Sequence, residues 1–202
     1  MPRYSFVYLA SQSPRRKQLL EQLGVEFELL LPDASEDAEA LELVLPNEKP
    51  RAYVQRVTTL KLETALQRLK NRGLTIAPVL CSDTTVALGN TLFGKPHNAN
   101  HAKEMLRQLS GKTHRVLTAV SIGTTRTQLH ALSISRVQFA DLSKQDIDRY
   151  VASQEPMGKA GSYAIQGKAA AFISHISGNY SGIMGLPMFE TAYLLREFGF
   201  TV

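Results

Sequence analysis

Residues 4–24 read YSFVYLASQSPRRKQLLEQLG, and the change of rhythm inside them sets the fold class. Residues 4–10 are aromatic and β-branched enough for a strand. The residues that follow carry helix punctuation: Ser13 can cap, Pro14 suits the first turn, where its missing N–H costs nothing, and Gly24 can end the helix. A strand that runs straight into a helix N-terminus also makes an anion site, because unpaired N–H groups and the positive end of the helix dipole point at whatever binds there. Ser11 and Ser13 add hydroxyl donors, and Arg15 and Arg16 add planar guanidinium groups suited to phosphate oxygens. A capped helix with two solvated arginines fits the same pattern.

Downstream the two rhythms keep alternating. A short strand is expected at 27–31, then an acidic, irregular loop, PDASEDAEALE, that runs on to about Pro46. From residue 51 to about 70 the apolar positions Val54, Val57, Ala65 and Leu69 recur at helical spacing, with Leu62 on the flank. Residues 75–88, TIAPVLCSDTTVAL, predict a largely apolar strand, and Gly89-Asn90 a two-residue turn into TLFGKP. A helix over about 100–109 stops at Gly111, strands follow at 113–123 and 127–140, and Ser143 opens a helix through Val151. The glycine-rich stretch EPMGKAGSYAIQG, residues 155–167, reads as a long functional loop, with a strand near 171–176 and a last helix from 187 to about 198. The expected architecture is a single mixed α/β (α+β) domain over residues 1–202, a twisted mixed sheet flanked by helices.

With 44% hydrophobic and 20% charged residues, the chain can bury a full core. It has no run of about 18 apolar residues that would span a membrane, and its start, MPRYSFVYLA, turns polar too soon for a signal peptide. A cytoplasmic location without a membrane partner is expected. Cys81 is the single cysteine and the histidines are scattered, so neither a disulfide framework nor a zinc signature is supported. The formal charge of +5 favours anionic partners without choosing among nucleotides, nucleic acids and lipids. Dispersed basic residues, with no stripe and no interleaved aromatics, argue against nucleic acid.

Two charged residues fall where charge is costly. Lys61 lies in the middle of an apolar helix face, where it must snorkel, find a carboxylate or reach a ligand. Asp83 lies within a mostly apolar strand, where an ionised carboxylate needs a cation or a metal. The hairpin would bring Lys95 back opposite Thr84, beside Asp83, and a plain Asp83–Lys95 ion pair is one account of both. SGKT at 110–113 ends like a P-loop, but the glycine that pattern needs five residues before Gly111 is Leu106, so it reads as a helix stop. In the 155–167 loop the glycines permit close backbone approach to a ligand, and Gln166 offers a donor and an acceptor suited to a base edge.

In their order and spacing, LASQSPRRKQLLEQLG, SDTTV, GKP, EPMGKAGSYAIQG and GLPMFET resemble the signatures of the Maf family of nucleotide pyrophosphatases, from Leu9 almost to the C-terminus. The resemblance implies a Maf/ITPase-like fold of two lobes about a central cleft, and hydrolysis of a nucleoside triphosphate to monophosphate and pyrophosphate. It places Asp83 at the proton acceptor's position and Ser11, Arg15, Arg16, Glu36, Lys61, Lys95 and Gln166 at substrate positions. Arg15, Thr84 and Gln166 match the branch acting on dTTP and UTP. The 7-methyl-GTP branch usually replaces the first arginine with tryptophan and the glutamine with glutamate. A pyrimidine nucleoside triphosphate is thus the expected partner, with CTP and modified pyrimidines as further substrates, and a homodimer the expected assembly. Gly158 stands where many members carry aspartate, and Ser82 where alanine is common in this branch and serine also occurs in the other. The implied cofactor is a divalent cation, Mg²⁺ first with Mn²⁺ or Co²⁺ as alternatives, held by Glu36 and Asp83. Asp83 would direct the attacking water. Two other readings stay open: a non-catalytic nucleotide- or RNA-binding regulator, and a pyrophosphatase preferring 7-methyl-GTP. The physiological setting would be cleansing of nucleotide pools or control of division.

Overall fold

The computed structural model describes residues 4–33, 36–37 and 40–202. The opening segment folds as a strand, β1 (Val7–Leu9), and a helix, α1 (Pro14–Gln22). The chain continues through β2 (Phe27–Leu29), α2 (Pro50–Asn71), β3 (Val79–Leu88), β4 (Thr91–Phe93), α3 (Ala99–Leu109), β5 (Thr113–Gly123), β6 (Gln128–Phe139), α4 (Lys144–Ala152), β7 (Ile173–Ser177), α5 (Tyr180–Met184) and α6 (Met188–Glu197). The alternation is as expected, with local corrections. The strand predicted at 75–88 starts at Val79, because the chain pairs with β1 only from Pro78, whose carbonyl accepts the Tyr8 N–H. The one predicted at 171–176 begins at Ile173, after a 3₁₀ turn over Lys168–Phe172. The five-residue α5 carries no helical period and was not expected; Asn179 caps it by accepting the Gly182 N–H at 3.1 Å. Ser143 opens α4 through a capping box with Asp146.

Seven strands make one mixed sheet in the order β2-β1-β3-β5-β6-β7, with β4 also on β3. β1 runs parallel to β2 and β3, and every other pairing is antiparallel. One edge of β3 is continuous with β5, Asp83 facing Ala119. Its other edge is shared: β1 takes Val79 and Leu80, β4 takes Val86 to Leu88. Between them, residues 81–85 have no strand partner on that edge among the described residues. The gap opens where β1 ends and the chain turns away into α1, and a crevice at the carboxyl end of a strand is where α/β sheets bind ligands.

Side chains alternate across β3 and β5, and the core divides accordingly. Leu80, Val86, Val116, Val120 and Ile122 join the cluster that also holds buried side chains of α1, α3, α4 and α6. On the opposite face α2 covers the sheet in two separate clusters. Leu62, Ala65, Leu66 and Leu69 pack on Val79 and Cys81, while Tyr53, Val54 and Val57 pack on Ala87, Leu117 and Ala119. Each fully buried aliphatic side chain contributes about 1.5–3 kcal/mol. Lys61 and Asp83 sit between the two clusters, so the break in α2's apolar face coincides with the gap in β3.

Candidate functional site

A cleft of about 900 Å³ opens over this gap, walled by the β1–α1 junction, the middle of β3, α2, Pro32, Glu36, Asp37, Leu41 and Glu42, the 158–165 loop and the end of α5. That volume lies in the range of small-molecule sites. Among the described residues, basic side chains outnumber acidic ones along its wall, six to four, so its charge suits an anion.

At the β1–α1 junction the backbone stays on the sheet as far as Ala10, whose N–H bonds Leu80 O at 3.0 Å. Ser13 occupies the N-cap position with extended dihedrals, but its hydroxyl makes no capping bond. Two residues earlier, buried Ser11 accepts the Ser13 N–H and Arg16 Nη1 instead, both at 3.2 Å. Arg16 Nε reaches across to Gly185 O at 2.8 Å, tying α1 to the end of α5. Burial pushes the Arg16 pKa down, and nearby Asp83 counters part of that effect. Arg15 lines the cleft with a buried Nε that has no hydrogen-bond partner among the described residues.

Asp83 is only 7% exposed. Its Oδ1 lies 2.5 Å from Lys61 Nζ. The Asp83–Lys95 pair considered from the hairpin does not form: pairing of β3 with β4 ends at Phe93, and Lys95 turns to Glu42 at 2.8 Å instead. Lys61 also bonds Glu42, at 2.7 Å. Burial pulls the Lys61 pKa down, but the charges of Asp83 and Glu42 outweigh it and hold the ammonium above its usual range. On the other face of β3, Ser82 Oγ meets Ala119 O at 2.8 Å and Gly185 O at 2.9 Å. Thr84 Oγ1 lies 3.0 Å from Thr118 Oγ1, which donates to Gly182 O at 2.7 Å. The strand thus presents Asp83 to α2 and Thr84 to α5, both lining one cleft.

Glu36 lines the cleft, but both its oxygens are on buried Arg68, at 2.7 and 2.6 Å. The Arg68 bonds hold its carboxyl below the usual range. The 155–167 loop is shaped by Glu155. This carboxylate accepts the Tyr150 hydroxyl at 2.9 Å and the Lys168 N–H at 3.1 Å, and it fills the space a Cβ at Gly167 would need. Tyr150 Oη in turn accepts the Ala164 N–H at 3.3 Å. The result turns Tyr163, Ala164 and Ile165 toward the cleft and leaves Gln166 exposed, off its wall.

The structure therefore brings Ser11, Ser13, Arg15, Arg16, Glu36, Lys61, Asp83, Thr84 and Lys95 to one cleft and leaves Gln166 outside it. Sequence reasoning missed Glu42, Arg68, Lys159 and the Gly185 carbonyl. Arg68 was within reach, since it lies seven residues after Lys61 and so on the same helix face. Glu42 was not, because an acidic loop has no period to mark one carboxylate above its neighbours. Lys159 Nζ closes the loop on Glu155 O at 2.6 Å, and burial, followed by Arg15's charge, lowers its pKa. Cys81 is fully buried, which pushes its thiol up to about 12 and leaves it unreactive.

A family model described as Maf-like protein matches residues 6–198. The chain is 69% identical over 197 residues to the dTTP/UTP pyrophosphatase of Albidiferax ferrireducens, covering 98% of each. It is 63% identical over 202 residues to the dTTP/UTP pyrophosphatase of Polaromonas sp., covering 100% of each. Among solved structures, the Staphylococcus aureus Ham1 protein aligns over 95% of this chain and 98% of that one, with a TM-score of 0.45 and 11% identity, a likeness too distant to carry an argument.

Proposed function

Because the chain belongs to the Maf family, we propose that it hydrolyses dTTP and UTP to the nucleoside monophosphate and pyrophosphate. The observation that carries this reading is the place of Asp83: in the unpaired gap of β3, with Oδ1 on Lys61 and Oδ2 without a hydrogen-bond partner among the described residues. That free oxygen aligns a water for in-line attack on the α-phosphorus and takes its proton as the new P–O bond forms. The bond from the α-phosphorus to the bridging oxygen breaks, and pyrophosphate leaves. Lys61, bonded to Oδ1, holds the carboxylate in place for this role. Arg15, Arg16, Ser11, Ser13 and the free N–H groups of α1's first turn stabilise charge on the phosphoryl oxygens, and Lys61 and Lys95 take the leaving group.

The donor set fits a divalent cation at Asp83 better than at Glu36, whose oxygens are both on Arg68. Mg²⁺, with Mn²⁺ or Co²⁺ as substitutes, would be held by Asp83 and the substrate's phosphates, and by Glu36 only if it leaves Arg68. When bound, it would neutralise phosphate charge and polarise the scissile bond. Base choice falls to Thr84 and to the 163–165 wall, with Gln166 taking part only when it turns inward. The reading extends to a cytoplasmic enzyme and to a homodimer whose contact covers exposed Phe189 and Tyr193 on α6. A monomer by sedimentation at micromolar concentration would remove the dimer. Among the described residues no helix is long and apolar enough to cross a membrane.

The test is pyrophosphate release from a panel of nucleoside triphosphates with Mg²⁺, wild type against Asp83→Asn. Release from dTTP and UTP should fall by about 10²–10⁴ in the variant, with nucleotide binding retained. Activity confined to 7-methyl-GTP would overturn the pyrimidine assignment, and release from no nucleotide would overturn the enzyme reading.

A further inference from the structure

The two lysines assigned to the leaving phosphates are already engaged. The carboxylate of Glu42 takes Lys61 with Oε1 at 2.7 Å and Lys95 with Oε2 at 2.8 Å. It sits at the end of a short 3₁₀ turn, Ala40–Glu42. Polar bonds lay this strap on α2: Tyr53 Oη donates to Glu42 O at 3.0 Å and Arg56 Nη2 to Leu43 O at 2.8 Å. Apolar anchoring is slight: Leu41 is half-buried in the cleft wall, and Leu43, Val44 and Leu45 are all exposed. Burial by itself would raise the Glu42 carboxyl, but the charge of Lys61 and the bonds from both lysines hold it ionised. A carboxylate bridging two ammonium groups satisfies them much as two phosphate oxygens would. Asp83 is locked in a central strand, whereas Glu42 sits on a segment held mainly by polar bonds, the kind that opens locally at low cost.

We propose that Glu42 is an anionic placeholder: it holds Lys61 and Lys95 aligned in the substrate-free protein and is displaced, with its strap, when the polyphosphate of the substrate arrives. The inference rests on the assignment of these lysines to phosphate. Displacement reduces apparent affinity by the fraction of molecules in which the lysines are free, so removing the placeholder's charge tightens anion binding.

The probe is inorganic tripolyphosphate, titrated calorimetrically into the metal-free protein. Glu42→Gln should bind it about tenfold more tightly than wild type. Asp37→Asn is the control. Asp37 lines the same cleft but, among the described residues, bonds only the Ala40 N–H, at 3.0 Å, so its variant loses the same charge without touching either lysine and should shift affinity by less than about twofold. Equal tightening in both variants, or weaker binding by Glu42→Gln, would overturn the proposal. Amide hydrogen exchange in the wild type gives a second reading that needs no variant. Tripolyphosphate should speed exchange at Leu43, whose N–H bonds Ala40 O at 3.4 Å within the strap, and unchanged or slower exchange there refutes displacement. A wild type that hydrolyses no nucleotide would end the enzyme reading and still leave the tripolyphosphate contrast to be read.

Discussion

Acidification below pH 6.5 should destabilise this protein through His114. His114 lies on β5, 1% exposed, with Nε2 2.8 Å from the Tyr163 hydroxyl and its ring edge-on to Phe139 and Tyr163. Burial lowers its pKa from 6.5 to about 4. The unfolded chain therefore takes up this proton below pH 6.5, and the folded chain only below about 4. Between those values the unfolded state binds more protons, so the stability that the neutral His114 contributes is full above 6.5, falls as the pH drops, and is lost below 4. At 1.36 kcal/mol per pH unit the whole interval is worth about 3 kcal/mol, of which about 2 kcal/mol is gone by pH 5. For a chain of this length that lowers the melting midpoint by about 4–8 °C. The assay is urea denaturation at pH 7.5 and 5.0, wild type against His114→Gln, whose amide can keep a bond to Tyr163 without titrating. The difference between the two proteins should narrow by about 2 kcal/mol at the lower pH. An identical pH dependence in both would refute the reasoning. Tyr163 lines the cleft, so activity at pH 5 should be lost on heating sooner in the wild type, relative to pH 7.5, than in the variant.

Gly161→Ala should cost about 2–4 kcal/mol, because its φ is +71° and an added Cβ would stand 2.8 Å from Val86 Cγ2 on β3; denaturant midpoints read the loss, and a cost below about 0.5 kcal/mol would show that the loop yields freely. Gln166→Glu should lower turnover of dTTP relative to 7-methyl-GTP if the side chain turns inward on binding. An unchanged ratio, with folding intact, would remove Gln166 from base selection and leave it to Thr84 and the 163–165 wall.

Local chemistry told most of the fold from sequence. The β1–α1 junction, the Gly89-Asn90 hairpin, the Ser143 cap and the helix stop at Gly111 are each written in residues a few positions apart, where propensity and capping act. Lys61 and Asp83 were legible for a different reason: a charge on an apolar face or strand carries a desolvation cost that must be offset somewhere. Sequence could flag that cost but not name the partner. It suggested Lys95 for Asp83, and the structure assigned Lys61, because α2 crosses β3 where its apolar face breaks, while β4 releases Lys95 after Phe93. Glu42 and the Gly185 carbonyl left no local trace, being a loop carboxylate and a backbone atom. Gln166 had the right chemistry in the right motif, yet the Glu155–Tyr150 bonds that shape its loop leave it exposed. What only the tertiary structure decided is the gap on β3's edge, since strand order and register are global properties: β1 and β4, more than 80 positions apart in the chain, must both be seated before the space between them exists.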